Sequence, residues 1–164
     1  MVGAPLLTGV ALGSAIAGVL FLYGGAGAIG LALAGFLADR YPRAGLVGAL
    51  IAVAVSVLVI ALFPAEPWVV IPTLVIWSIA FGGAPAILQT RMLHTASARI
   101  RDVASAYLTT SFNVAIGGGA LVGGVLLDRT GILVLPFVDV ALTVAAVVVF
   151  LVGDGIVRRR LAAR

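Results

Sequence analysis

Cysteine is absent from this sequence, which excludes disulfides and thiolate metal sites. Histidine occurs once, at His94, among Arg91, Arg99 and Arg101 and without ligand spacing, so it reads as a solvated loop residue and no metal site is expected. Lysine is also missing. The net charge of +4 and the pI near 10.7 therefore come from ten arginines set against six acids. These arginines sit at the ends of apolar runs, with no basic stripe interleaved with aromatics, so nucleic acid is not an expected partner. Charge itself is scarce: 10% of residues are charged, 63% are hydrophobic and the mean hydropathy is +1.28. Such surface would aggregate in water, but in a lipid bilayer it is the natural exterior. A nucleophile triad, a metal cluster and a phosphate loop are all lacking, so the residues point away from an enzyme and from any cofactor. The N-terminus has no basic region before its apolar stretch, which argues against a signal peptide.

Five apolar runs are long enough to cross about 30 Å of hydrocarbon. They fall at 15–38, 44–63, 68–90, 104–127 and 131–153, separated by short polar or proline-bearing breaks. Residues 1–14 carry Gly3, Pro5, Gly9 and Gly13 and read as an outer loop or interfacial segment, with Ser14 as the N-cap of the first helix. Residues 154–164 read as a basic tail. On this scheme Arg40, Arg43, Arg91, Arg99, Arg101, Arg158, Arg159, Arg160 and Arg164 share one side, and Arg129 lies on the other. The positive-inside rule then places the C-terminus in the cytoplasm and residues 1–14 outside, in a multi-pass protein of the cell membrane.

Two segments echo each other. Residues 24–45 hold a glycine-rich apolar stretch ending Gly35-x-x-x-Asp39-Arg40, and residues 113–133 hold another ending Gly124-x-x-x-Asp128-Arg129. The second copy is three spans after the first, so the two cross in opposite directions, as in the inverted repeats from which transporters are built. The second copy is the middle helix of three, whereas the first has a helix after it and none before. One helix is thus expected to be missing from a pair of inverted three-helix repeats, and the chain is expected to be a truncated half of a longer carrier.

Residues 35–43, Gly-Phe-Leu-Ala-Asp-Arg-Tyr-Pro-Arg, resemble a loop motif of the major facilitator superfamily in the weakened form that recurs between its eighth and ninth helices. Gly83 to Arg91 (Gly-Ala-Pro-Ala-Ile-Leu-Gln-Thr-Arg) is similar to the tenth helix of bacterial drug or sugar efflux permeases. Ala104-Ser105-Ala106, Ser111-Phe112-Asn113 and Gly123-Gly124 are similar to the eleventh. The motif's second basic residue is absent, since Ala44 follows Arg43. The resemblance implies an all-α membrane fold with the five helices standing as helices eight to twelve. It further implies a missing N-terminal half as partner, a drug-like or sugar-like solute and protons as cargo, and alternating access as the mechanism. The chain alone is then expected to be inactive. An alternative is a membrane assembly module that pairs with a separately encoded half; seven further spans encoded upstream would favour the carrier.

Candidate residues follow. Gly35, Asp39, Arg40 and Arg43 sit at the end of the first span, where the resemblance implies a cytoplasmic gate and the bare residues also allow a solvated loop. Gly27, Gly30, Gly82, Gly83, Pro85, Gly119 and Gly123 are candidates for close helix packing or for sliding and bending surfaces. Intramembrane polar residues mark pathways. Thr73, Trp77 and Gln89 lie on the helix that the resemblance places at the central cavity, and Asn113 is either a cavity contact or an interhelical hydrogen-bonding group. Asp139 is the acid deepest in a span: a proton-coupling group, or an acid paired with Arg129 or another helix.

Overall fold

The computed structural model describes the backbone of residues 3–162 and the side chains of residues 16–157 and Arg159. Five long helices account for nearly all of it: α1 (Gly3–Arg40), α2 (Pro42–Leu62), α3 (Pro67–Thr95), α4 (Arg101–Thr130) and α5 (Leu135–Ala162). All five are long and apolar enough to cross a membrane, and no strand occurs among the described residues. The 21 residues of α2 rise about 32 Å, the thickness of the hydrocarbon layer. The chain has the fold of an all-α membrane protein.

Proline and glycine set the boundaries. Pro42 opens α2 and Pro67 opens α3, each where a missing N–H costs nothing. A single non-helical residue, Tyr41, separates α1 from α2, and the chain reverses through it. Gly131 closes α4 with φ at +80°, a conformation that favours glycine, while its N–H still reaches the Leu127 carbonyl at 3.0 Å.

Two ends differ from the sequence expectation. The backbone is helical from Gly3 onward, so residues 3–14 are not a loop and Ser14 lies inside α1 rather than at its cap. Pro5 falls in the first turn, where a helix tolerates it. The fifth helix starts at Leu135 rather than residue 131 and runs on through the basic segment to Ala162, whose arginines suit a helix C-terminus. Arg164 lies outside the described residues.

Helix α3 is the centre of the bundle. It lies along α1 on one side and α2 on another, and α2 carries α5, whereas α4 touches α3 and α5 lightly. The packed positions are small: Ala26, Gly30, Ala34 and Ala38, four apart on α1, meet Ser78, Ala80, Gly83, Ala84 and Ile87 of α3. With lipid as solvent, apolar side chains gain little by turning inward, and close backbone approach through small residues holds helices together. Leu46 and Ile87 are the largest side chains fully enclosed.

Candidate functional site

A cavity of about 540 Å³ opens between α3 and α4, with Leu31 of α1 on its wall. Helix α3 contributes Gln89 and Thr90, one turn beyond Pro85, which also lines the space with Gly82 and Ala86. Helix α4 contributes Thr109 and Asn113, four residues apart and therefore on one face, with Phe112 beside them. Gln89 Nε2 donates to Ser105 Oγ at 3.4 Å, a long bond that leaves most of the carboxamide's capacity for a ligand. The lining thus offers two carboxamides and two hydroxyls, and no charged side chain. Such groups match a neutral solute rich in hydroxyls, because each carboxamide both donates and accepts.

Gln89 and Asn113, far apart in sequence, are thus brought together. Thr73 and Trp77 are elsewhere. Thr73 Oγ1 donates to the Val69 carbonyl of its own helix at 2.6 Å. The Trp77 ring stacks between Tyr23 of α1 (centroids 5.7 Å apart) and Phe81 (5.1 Å). Its Nε1–H is buried with no acceptor among the described residues. The adjacent Ser78 is buried and donates to the Tyr23 carbonyl at 2.7 Å, a bond across the α1–α3 crossing that sequence reading did not anticipate.

The glycines divide sharply. A Cβ on Gly30 would overlap the Ile79 carbonyl; one on Gly82 would lie 2.6 Å from the Gly27 oxygen, and one on Gly83 2.9 Å from the Gly30 oxygen. Gly27, Gly30, Gly82 and Gly83 therefore let α1 and α3 touch backbone to backbone. Gly119 and Gly123 of α4 meet nothing within 4 Å, and neither does Gly35. The packing role expected of Gly119 and Gly123 is not realised within the described residues, since no helix lies on their face.

At the arginine-bearing end of the bundle, Asp154 of α5 receives two guanidinium groups. Arg43 Nε lies 3.1 Å from Oδ2 and Arg91 Nη2 2.8 Å from Oδ1, while the carboxylate side chain is only 11% exposed. The Arg91 guanidinium also lies 4.8 Å from the centre of the Phe150 ring. This cluster ties the starts of α2, the end of α3 and the end of α5 together. Of the expected gate residues it includes Arg43; Asp39 and Arg40 are exposed, and Arg40 lies over the Tyr41 ring at 5.9 Å. The sequence places Asp154 at the start of the basic tail, and a lone acid between Gly153 and Gly155 ahead of a run of arginines is the local signal of its role. His94 is exposed in the last turn of α3. Asp139 is exposed on α5 and makes no ion pair among the described residues, so the expected pairing with Arg129 is not formed.

No protein-family model matches the chain, and no solved structure matches it. Among curated proteins it is similar to a "Probable sugar efflux transporter" of Helicobacter acinonychis, 34% identical over 128 residues that cover 78% of this chain and 32% of that protein. Proteins of the same name from Helicobacter pylori strains J99 and 26695 match at 34% identity over the same length. The chain spans about a third of the length of the curated relatives it matches.

Proposed function

We propose that this chain forms the C-terminal membrane bundle of a major facilitator carrier that expels a small neutral, sugar-like solute in exchange for protons. The cavity carries the reading: Gln89, Thr90, Thr109 and Asn113 converge on one space with hydrogen-bonding groups and no charge. The name of the Helicobacter relatives agrees with that chemistry. The open side of the cavity is completed by the remaining two thirds of the carrier, and access alternates as the parts rock. The Arg43–Asp154–Arg91 cluster holds three helix ends as one body during that motion, with Asp39 and Arg40 presented as the latch toward the other half. Asp139 is the proton-coupling candidate in this portion. The arginine-bearing end faces the cytoplasm of a cell-membrane carrier. The part in hand, lacking half its cavity, does not transport alone.

The test is pH-gradient-driven exchange of labelled monosaccharides, and of a cationic dye, in proteoliposomes. It compares this chain with the polypeptide that includes the coding sequence upstream of Met1. Sugar exchange by the longer polypeptide, abolished by Asn113→Leu or Gln89→Leu, is expected. Exchange by the short chain sinks the half-carrier reading, and preference for the cation sinks the neutral-solute reading. A second reading, a membrane assembly module, draws on the bare glycine face of α4. An upstream region without apolar spans would move it to the front.

A further inference from the structure

A second depression lies on a different face of α3 from the polar cavity. The cavity takes Gly82, Pro85 and Gln89, whereas Ile76, Ile79, Ala80, Gly83 and Ile87 floor a groove of about 470 Å³ between α1 and α2. At 3.6 residues per turn these two sets point about two fifths of a turn apart. Along α2 the groove extends from Ala44 to Ala52, about 12 Å at a rise of about 1.5 Å per residue. Its α2 edge is all glycine and alanine, and Leu33 on its α1 edge and Ile76 on its α3 side are 47% and 54% exposed. An unfilled apolar groove at membrane depth forfeits dispersion contacts on one side, and a hydrocarbon tail restores them.

The groove does not end blindly. At the arginine-bearing end, Tyr41 and Ala44 belong both to it and to a recess of about 470 Å³ that also contains Pro42, Arg43 and Leu151. Arg40 stands over the Tyr41 ring at this mouth. The charged residues of this end are Arg40, Arg43 and Arg91 against Asp39 and Asp154, and of these Arg43 lines the recess. The ion pairs of this end commit Arg43 and Arg91 to Asp154, and Arg40 has no carboxylate partner among the described residues. The balance is a surplus of positive charge at the depth where headgroups lie, at the mouth of a slot that fits a tail.

We propose that the α1–α2 groove and the Tyr41–Arg43 recess form one binding site for an anionic phospholipid, its acyl chain on α3 and its phosphate held by Arg40, which no carboxylate engages among the described residues. The site is independent of solute transport and needs only the folded bundle. Each arginine near such a headgroup favours the anionic lipid by about fivefold.

The purified full chain in detergent, titrated with phosphatidylglycerol or phosphatidylcholine of identical acyl chains and followed by native mass spectrometry, tests this. Phosphatidylglycerol is expected to bind about fivefold tighter, and Arg40→Gln to bring the two lipids to parity. Gly48 lines the groove and a Cβ there meets nothing within 4 Å, so Gly48→Leu is expected to fill the slot and weaken both lipids without disturbing the helix. Unchanged melting temperatures of the two variants confirm that the fold is intact. Equal binding of the two lipids by the native chain, a headgroup preference that survives Arg40→Gln, or tail binding that survives Gly48→Leu overturns the proposal.

Discussion

At Gly30 a methyl group has nowhere to go, because the Ile79 carbonyl already occupies its position. Gly30→Val is expected to force α1 and α3 apart and destabilise the bundle by about 1–3 kcal/mol, seen as a lower melting temperature in detergent. Gly119→Val on the mirror helix meets open space and is expected to change that temperature little. Equal effects at both positions would show that the two glycine sets share one packing role. Sequence could flag both sets as close-packing candidates but could not separate them, since spacing is a property of one helix and contact is a property of two. Asp154 teaches the same point. Its partners Arg43 and Arg91 lie more than sixty residues away, and nothing local marks the meeting. Asp154→Asn leaves two half-buried guanidinium groups facing each other without a counter-charge. Hydrogen bonds to charged groups are worth about 1.5–3 kcal/mol; with Arg43 partly in solvent, the lower end of that range is expected. An SDS-unfolding titration measures it, and Asp154→Glu should recover part of the loss.

Among the elements, the spans were legible because lipid demands about 20 apolar residues and the breaks between them carry Pro42, Pro67 and Gly131. The ends were less so. Ile132, Leu133 and Val134 extend the hydrophobic run, yet the chain needs them to turn from α4 into α5 after the positive φ of Gly131. The central place of α3 was not readable from composition, since every helix is apolar nearly all round and no face is marked as inner. Pro85 lies inside α3 and removes the N–H that would bond the Phe81 carbonyl, one turn earlier. Pro85→Ala is expected to restore that bond and raise the melting temperature by an amount equivalent to about 1 kcal/mol. If α3 is a bending element, solute exchange by the complete carrier should fall at the same time. A variant that is stabler and equally active would make Pro85 a passive lining residue of the cavity.

For the whole molecule, the distribution of arginine predicts an orientation that the packing alone leaves open. Arg43 and Arg91 meet Asp154 at one end, so the α1–α2 turn, the end of α3 and the end of α5 lie together. Arg99 lies in the short connection from α3 to α4, and Arg101 opens α4. Arg129, near the end of α4, belongs to the opposite side by helix alternation. By the positive-inside rule, nine arginines against one are expected to keep the arginine-bearing end in the cytoplasm. The absence of cysteine makes this directly measurable, because any thiol introduced is the sole target for a maleimide. Ser97→Cys, in the turn after α3, and Glu66→Cys, in the turn before it, are both exposed and lie one helix apart. A membrane-impermeant maleimide added to intact cells is expected to label Glu66→Cys and to reach Ser97→Cys only after the membrane is opened. Trp68, 89% exposed two residues beyond Glu66, would then sit in the outer interfacial belt, where an indole is at home. The reverse labelling pattern would invert the bundle, put the Arg43–Asp154–Arg91 cluster outside and remove the cytoplasmic latch from the proposed cycle. Labelling of both thiols in intact cells would mean that the inserted chain adopts two orientations, and the arginine asymmetry would then be too weak to act without the rest of the carrier.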